Sequence, residues 1–267
     1  MRASVIQFNA GDNEEQNLER LDPLIRKAAE NSDLIVLPEV AYFRGKLGVS
    51  PRDTVPGNAT RFISVIAKET STWIHGGTIF EKVEGSDKAY NTSFLCNPNG
   101  ELAGTYRKIH LFDVDLPNVK IFESKHTQPG SEMVTTKIKN FTAGFLTCYD
   151  LRFPGIWAGL RTKGVDLFFL PSNFTQKTGE AHWETLIRAR AIETQSYVLA
   201  SSQFGVHPGI DVDTYGCAMI VDPWGTVLAK TSSGTNEFAT AEISLDSIND
   251  IRANMPVFEH QRKDIYS

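Results

Sequence analysis

Short apolar segments alternate with helical patterns along most of the 267-residue chain. Residues 33–37 and 165–170 are continuous apolar runs, which are typical of strands buried on both faces. Residues 58–70 and 179–196 instead place apolar side chains on one helical face. This alternation indicates an α/β fold. We expect a single domain over residues 1–267, because no low-complexity linker divides the chain.

The remaining segments extend the predicted succession of strands and helices. The turn sequence Asn97-Pro98-Asn99-Gly100 predicts a hairpin between the strands on either side of it. Residues 107–135 have no clear periodicity and predict a long loop, and loops of that length are often functional. The other predicted strands are 4–8, 73–80, 91–96, 101–106, 141–148, 197–203, 215–221, 226–229 and 238–243, and the other predicted helices are 13–31, 154–162 and 245–254.

The charge and composition of the chain exclude several classes of protein. Lys and Arg number 27 against 32 Asp and Glu, and no basic block occurs, so we expect no nucleic-acid partner. No run approaches the length of a membrane-spanning helix, so we expect no membrane partner. The N-terminal segment lacks the pattern of a signal peptide. Together with the odd count of three cysteines, this indicates a reducing compartment, and we expect a cytoplasmic location.

Cys148 lies where an apolar strand gives way to a polar turn and then a helix. This is the arrangement of a nucleophile elbow, in which the backbone N–H of the next residue, Tyr149, can face an oxyanion. A thiol with its ordinary pKa of about 8.5 is only a few per cent thiolate at neutral pH, so a nucleophilic Cys148 needs a neighbouring base or cation. The alternative interpretation is an inert core cysteine.

Glu39 and Lys108 are candidates for that base and that cation. Glu39 ends a buried strand, where partial burial would raise its pKa toward the range useful for proton transfer. Lys108 stands where a strand meets the long loop. An ammonium group about 4 Å from an oxyanion contributes on the order of 4 kcal/mol before desolvation is subtracted. The alternatives are a solvated carboxylate and an ordinary surface lysine.

Two buried strands of the sequence end in the same way. Residues 34–39 and 167–172 each run from an apolar strand through Leu-Pro to a polar residue. Ligands of layered α/β folds lie beyond the carboxyl ends of strands. If both strands are central, Glu39 and the pair Ser172-Asn173 would approach the same rim of the sheet.

The segments around these residues resemble the nitrilase superfamily of carbon–nitrogen hydrolases. Leu37-Pro38-Glu39, residues 106–111 and residues 148–154 are similar to the Glu, Lys and Cys boxes of that family, in the same order. The likeness covers essentially the whole chain and continues through residues 171–175, 182–184, 188–193 and 221–225.

The resemblance implies a four-layer α-β-β-α sandwich of the nitrilase type, usually assembled as a homodimer or a higher homo-oligomer. It implies amide hydrolysis through a thioester on Cys148, with Glu39 as the base for the thiol and later for water. Lys108 and the Tyr149 N–H would hold the oxyanion. Glu123 matches a second glutamate of the family and could position Lys108 or assist proton transfer. The resemblance implies no cofactor and no metal.

Within the superfamily, residues 107–115 and 122–125 resemble the omega-amidases, which hydrolyse the terminal carboxamide of short dicarboxylate monoamides. The later boxes fit the deaminated glutathione amidases nearly as well. Either small-molecule amide bears a carboxylate, so we expect a cation in the pocket, and Arg44, Arg152 and Lys177 are the candidates.

Other residues near these boxes are candidates for the pocket wall. Asn173, Phe174 and Tyr42 could line it, although core packing is the usual place of such aromatic side chains. Arg152 could contact the substrate, or it could pair with Asp150 and brace the elbow.

Several other functions stay open at this point. A nitrilase acting on C≡N could use the same residues, and a non-catalytic interaction scaffold could retain the same fold. A papain-like thiol hydrolase would need a histidine base, and none of the six histidines has the local signature of that family. A histidine-ligated metal enzyme is disfavoured, because no His-Glu-x-x-His or paired-cysteine spacing occurs.

Overall fold

The computed structural model describes residues 1–46, 48, 51–116, 119–232, 234–262 and 264–265. Besides the helices and strands given next, it has short 3₁₀ turns at Glu123–Lys125 and Cys148–Arg152. The helices are α1 (Glu14–Ala29), α2 (Asn58–Thr70), α3 (Pro154–Thr162), α4 (Gln176–Thr194) and α5 (Leu245–Asn254). The strands are β1 (Arg2–Phe8), β2 (Leu34–Val36), β3 (Trp73–Lys82), β4 (Ala89–Cys96), β5 (Leu102–Arg107), β6 (Asp113–Leu116), β7 (Val119–Phe122), β8 (Thr127–Gln128), β9 (Thr135–Ile138), β10 (Phe141–Phe145), β11 (Leu167–Ser172), β12 (Tyr197–His207), β13 (Val212–Tyr215), β14 (Met219–Val221), β15 (Val227–Lys230) and β16 (Glu237–Glu242).

The continuous apolar runs form strands whose two faces enter different cores. Successive side chains of a strand point to opposite faces. Leu34 and Val36 therefore join one apolar core, whereas Ile35 and Leu37 join another. Both faces of β2 are buried, which explains why its sequence shows no polar alternation.

Three apolar cores separate the layers of the molecule. The first contains side chains from β1, β2, β10, β11 and β12 and fills the space between two β layers. The second packs β2 and β3 against α1 and α2. The third packs β11 and β12 against α3 and α4. The layers follow each other as α-β-β-α, which confirms the predicted four-layer α/β sandwich.

The strands follow the order β5-β4-β3-β2-β1-β12-β11-β10-β9. The two β layers are joined where β1 pairs with β12 at only two positions, Gln7–Ser202 and Phe8–Gln203. The six consecutive central strands of this order, from β3 to β10, are parallel to one another. Their carboxyl ends therefore lie at the same edge.

Several predicted boundaries are wrong, such as those of the helix predicted for 179–196, which spans Gln176–Thr194, and backbone conformation explains two of the larger differences. The strand predicted for 141–148 ends at Phe145, because Cys148 has a φ of +47°, which is incompatible with a strand. The strand predicted for 215–221 is interrupted by positive φ at Gly216 and Cys217. The loop predicted for 107–135 contains the β6–β7 hairpin and one 3₁₀ turn.

Among the described residues, no helix combines the length and the apolar composition needed to cross a bilayer.

Two buried histidines make the stability of the fold depend on pH. Burial lowers the pKa of His75, which lies against Phe145 and Phe169 in the first core, to about 3. Burial, and then the charge of Arg44, lower the pKa of His207 to about 4. Below about pH 6.5 the unfolded chain binds protons that the folded chain does not bind. The free energy of unfolding should therefore be highest above this pH and fall as the pH decreases.

We expect the wild type to lose about 2 kcal/mol per buried histidine between about pH 7.5 and pH 5, at about 1.4 kcal/mol per pH unit below 6.5. His75→Asn keeps an acceptor for the Gly77 N–H, which His75 Nδ1 accepts at 3.3 Å. This variant should lose about 2 kcal/mol less than the wild type over the same interval in urea titrations. His260→Asn, at an exposed histidine, is the control, and equal losses for all three proteins would contradict the prediction.

Candidate active site

Residues predicted for the site lie at the shared carboxyl edge of the strands. Glu39 follows β2, Cys148 follows β10, Asn173 follows β11 and Lys108 follows β5. The strand β5 is antiparallel to β4, and β4 is antiparallel to β3, so β5 ends at the same edge as β3. The expectation that Glu39 and Asn173 share one rim is confirmed, since both line the same cavity.

A buried cluster of charges joins Glu39, Lys108 and Glu123. Lys108 Nζ donates to Glu39 Oε1 at 3.0 Å and to Glu123 Oε2 at 2.8 Å. Asn91 Nδ2 donates to Glu39 Oε1 at 2.8 Å and to Glu123 Oε1 at 3.2 Å. The backbone N–H of Phe112 donates to Glu123 Oε2 at 2.7 Å. The ammonium is therefore fixed between two carboxylates whose own orientations are also fixed.

The electrostatics of this cluster keep Lys108 charged. Only 2% of Lys108 and 4% of Glu39 are exposed to solvent. Burial alone would lower the pKa of the Lys108 ammonium, but the carboxylates of Glu123 and Glu39 outweigh it and raise this pKa well above its usual value. Burying these charges is tolerable only because they are paired and hydrogen-bonded. With both carboxylates ionised, the three side chains carry a net charge of −1.

Cys148 lies beside this cluster on a turn with an unusual backbone. Its φ of +47° is the left-handed conformation that residues other than glycine seldom adopt, and such strain is typical of functional turns. Burial, and then the negative charge of Glu39, raise the pKa of the Cys148 thiol well above its usual value. The charge of Lys108 and the backbone N–H of Asn173 act in the opposite direction. At neutral pH the resting group is therefore a thiol, and any attack by its sulfur requires a base.

Asp150 holds the turn that carries Cys148. Its fully buried carboxylate accepts hydrogen bonds from the Thr147 N–H at 2.8 Å and from the Tyr106 hydroxyl at 2.7 Å. It also contacts the backbone N–H and the ring Nδ1 of His110, at 3.1 and 2.7 Å. These contacts tie the turn after β10 to the segment that carries Lys108.

Arg152 does not pair with Asp150, so the bracing role considered for it is wrong. Its Nη1 lies 3.2 Å from the ring Nδ1 of His182, and its guanidinium lies 5.3 Å from the centre of the Phe174 ring. The four contacts to Asp150 leave that carboxylate satisfied without Arg152. Arg152, Tyr149 and Phe174 instead line a small second cavity that also reaches Cys148.

A cavity of about 70 Å³ adjoins the buried charges. Glu39, Lys108, Glu123, Cys148 and Asn173 all line it. The other lining residues are Val40, Phe43, Arg44, Gly45, Phe80, Asn91, Phe112, Ile121, Thr175, His207, Ile210, Val212 and Thr214.

Two residues predicted near the pocket lie elsewhere. Tyr42 packs in the second core, where its hydroxyl donates to the carbonyl of Gly76 at 2.7 Å, and its neighbour Phe43 lines the cavity instead. Lys177 is exposed on α4 and lines neither cavity. Of the three candidate cations, Arg44 alone lines the cavity of the buried charges.

Sequence reasoning missed Asn91, which bridges the two carboxylates. The available signal was an asparagine at the start of an apolar strand, where an amide is buried only if it is hydrogen-bonded. Among the described residues, no group of three or more His, Cys, Asp or Glu side chains is arranged to hold a metal ion.

Comparison with known proteins agrees with this arrangement. The carbon–nitrogen hydrolase family model matches residues 2–253. The chain is 37% identical to the protein named deaminated glutathione amidase of Dictyostelium discoideum, over 99% of this chain and 95% of that protein. It is 36% identical to the human protein of that name, over 98% of this chain and 83% of that protein.

Solved structures show the same fold. The Caenorhabditis elegans NitFhit protein has a TM-score of 0.90 at 32% identity, over all of this chain and 66% of that one. Saccharomyces cerevisiae Nit3, a member of branch 10 of the nitrilase superfamily, has a TM-score of 0.85 at 29% identity, over 96% and 94% of the two chains. The chain belongs to the carbon–nitrogen hydrolase family. The predicted membership of the nitrilase superfamily and the predicted nitrilase-type sandwich are confirmed.

Proposed function

We propose that this protein is an amidase that hydrolyses the terminal carboxamide of a small carboxylate-bearing molecule to an acid and ammonia. The observation that carries the proposal is the buried cavity that Glu39, Lys108 and Cys148 line together. A thiol, a carboxylate base and a fixed ammonium are the groups that thioester chemistry on an amide requires. A non-catalytic scaffold would gain nothing from burying these charges, which are costly to desolvate.

The first half of the reaction forms a thioester on Cys148. The Glu39 carboxylate takes the thiol proton as the sulfur attacks the carbonyl carbon of the amide. The Lys108 ammonium and the Tyr149 N–H stabilise the resulting oxyanion. Glu39 then gives the proton to the amide nitrogen, the C–N bond breaks, and ammonia leaves.

The second half returns the protein to its starting state. Glu39 takes a proton from a water molecule, whose oxygen attacks the thioester carbonyl carbon. The C–S bond breaks, the acid is released, and the proton returns to the sulfur of Cys148. Glu123 also accepts from Lys108, and its role is to position the ammonium through both steps.

Because the pKa of the Cys148 thiol is high, attack by its sulfur depends on Glu39 as the base. A buried thiol next to a carboxylate loses its proton only as the sulfur attacks, so proton transfer and attack are coupled. Because one carboxylate serves both halves of the reaction, it has to lie within reach of both sulfur and water. Glu39 meets this condition, since it lines the same cavity as Cys148.

A deaminated glutathione amidase activity is the second candidate, and the names of the relatives favour it. Cleavage of a glutathione-derived amide would release a peptide amine, whereas cleavage of a terminal carboxamide releases ammonia. The same thioester serves both reactions, so the leaving group separates the two candidates.

We also propose that the protein acts in the cytoplasm as a homodimer or a higher homo-oligomer. The three cysteines are free and buried, as suits a reducing compartment. Ile192, Trp224 and Leu228 are large exposed apolar side chains, and Ile192 lies beside Gly225. Such a group of apolar side chains is typical of a surface that a second copy covers.

A panel of amides and nitriles tests the proposed activity. We expect succinamate and glutaramate to release ammonia with the purified protein, and we expect the matching ω-cyano acids to react at least about 100-fold more slowly in kcat/KM. Faster turnover of the nitriles would favour a nitrilase. A folded protein that turns over neither class of compound would contradict the proposal.

A further inference from the structure

Arg44 is buried in the wall of the same cavity, and its hydrogen-bond partners among the described residues are all neutral groups. Its exposed fraction is 1%. Nη1 donates to the Phe204 carbonyl at 3.1 Å and to Thr214 Oγ1 at 3.0 Å. Nη2 donates to Asn9 Oδ1 at 2.7 Å and to the Val206 carbonyl at 2.6 Å. These bonds fix the plane of the guanidinium but do not balance its charge.

The guanidinium of Arg44 has no counter-ion in the described part of the chain. None of the described carboxylates lies within ion-pair distance of it, and its Nε has no hydrogen-bond partner. Burial lowers the pKa of Arg44 to about 10, so the group is still a cation at neutral pH. Folded proteins normally pair a buried charge, because an unpaired one is costly to desolvate. The anionic group of a ligand would balance this charge.

His207 supplies a second donor next to Arg44. Its Nδ1 accepts the Gly209 N–H at 3.2 Å, so in the neutral ring the proton is on Nε2. The charge of Arg44 contributes to the lowered pKa of His207, so the two groups lie close enough to interact. His207 also lines the cavity and is neutral at physiological pH. The four terminal N–H groups of Arg44 already have acceptors, so the Arg44 Nε–H and the His207 Nε2–H are the donors that one carboxylate can accept from at once.

The positive region is separate from the buried charge cluster. Arg44 is held by β12, β13 and the residue after β1, whereas Lys108 is held by Glu39 and Glu123. The cavity thus has a negative cluster beside Cys148 and an unbalanced cation on another part of its wall. This polarity matches a molecule with a neutral amide at one end and an anion at the other.

We propose that Arg44, assisted by His207, is the specificity-determining residue that binds the carboxylate of the substrate. The inference rests on the proposed amidase function and adds to it the group that selects anionic over neutral amides. Binding of a carboxylate would supply a counter-ion that the described part of the chain does not provide. Neutral amides would leave the guanidinium unpaired and are therefore poor substrates.

Succinamate and succinamide form the most closely matched test pair. They have the same length and differ in one end group, which is a carboxylate in the first and a neutral amide in the second. With the wild-type protein, kcat/KM for succinamate should exceed that for succinamide by about 100-fold or more, as expected for a buried charge pair. This comparison needs no variant, so loss of folding cannot affect it.

Arg44→Met tests the residue itself. The variant should lower kcat/KM for succinamate by about 100-fold or more and reduce the preference for succinamate over succinamide to about threefold or less. Arg44→Lys keeps the charge without the planar donor set. Its preference for succinamate over succinamide should lie between the preferences of the wild type and of Arg44→Met.

The possible results are distinct. Equal turnover of both compounds by the wild type would overturn the inference and leave the amidase proposal intact. Equal losses on both compounds in Arg44→Met would also overturn it, since Arg44 would then serve only the fold. No turnover of either compound by folded wild-type protein would overturn both proposals.

Discussion

Replacement of Cys148 by alanine is expected to lower kcat for succinamate by at least about 10⁴-fold, because the sulfur is the atom that forms the thioester. The substitution removes only one buried atom, so the free energy of unfolding should change by less than about 2 kcal/mol. Steady-state ammonia release and urea titration of the same preparations measure the two quantities. A variant that keeps more than about one per cent of wild-type kcat would contradict the role of Cys148.

Glu39→Gln is the matched companion of this variant. Glutamine has nearly the same shape and can still accept from Lys108, but it cannot take the thiol proton. We expect kcat to fall by about 10²- to 10⁴-fold. Groups that act as a unit have non-additive effects, so the double variant with Cys148→Ala should be no slower than Cys148→Ala alone within about threefold. Independent, additive losses would show that Glu39 and Cys148 do not act in one step.

Replacement of Lys108 by methionine has the largest expected effect on stability. It would leave the buried carboxylates of Glu39 and Glu123 facing each other without the ammonium that both of them contact. Breaking a buried pair by removing one partner costs about 3–5 kcal/mol. Loss of a charge that stabilises the oxyanion should also lower kcat by about 10²- to 10³-fold. Urea titration and steady-state kinetics measure these two changes.

The pH dependence of this variant has a defined sign. Without a cation, the two buried carboxylates of the folded variant repel each other, and this repulsion weakens as the pH decreases and the carboxylates become neutral. The stability deficit relative to the wild type should therefore be smaller at about pH 5.5 than at about pH 8. Lys108→Met combined with Glu123→Gln removes one of the two charges. It should be about 2 kcal/mol more stable than Lys108→Met alone at neutral pH, and a double variant that is no more stable would contradict the account.

Much of the layering could be predicted from periodicity. The runs 33–37 and 165–170 are apolar on both faces, and each of these strands lies between two cores. The wrongly predicted strands at 141–148 and 215–221 include positions where the backbone leaves extended geometry. Cys148 and Cys217 have left-handed φ values, and no hydrophobic pattern indicates such values for residues other than glycine.

The same limit explains the error at Tyr42. Val40 has a φ of +51°, which breaks the strand alternation after β2, so the side on which Tyr42 lies does not follow from sequence parity. The structure turns Phe43 and Arg44 toward the cavity and Tyr42 toward the second core. Spacing along the chain likewise suggested Arg152 as the partner of Asp150. The actual partners include Tyr106 and His110, about forty residues away.

The local sequences predicted Glu39, Lys108 and Cys148 as site residues, and the resemblance to the family predicted Glu123. All four line one cavity. The bridging role of Asn91 does not follow from the sequence, because it depends on two carboxylates contributed by other segments. The unbalanced charge of Arg44 was also beyond sequence reasoning. It is defined by the neutral acceptors that the fold brings together around the guanidinium.

Acid quenching during turnover of succinamate, followed by mass spectrometry of the peptides, examines the thioester itself. We expect a succinyl group on the peptide that contains Cys148 and on neither of the peptides that contain Cys96 and Cys217. The modification should disappear after treatment with hydroxylamine, which cleaves thioesters. Sustained ammonia release with no acyl group on Cys148, or with the acyl group on another residue, would contradict it.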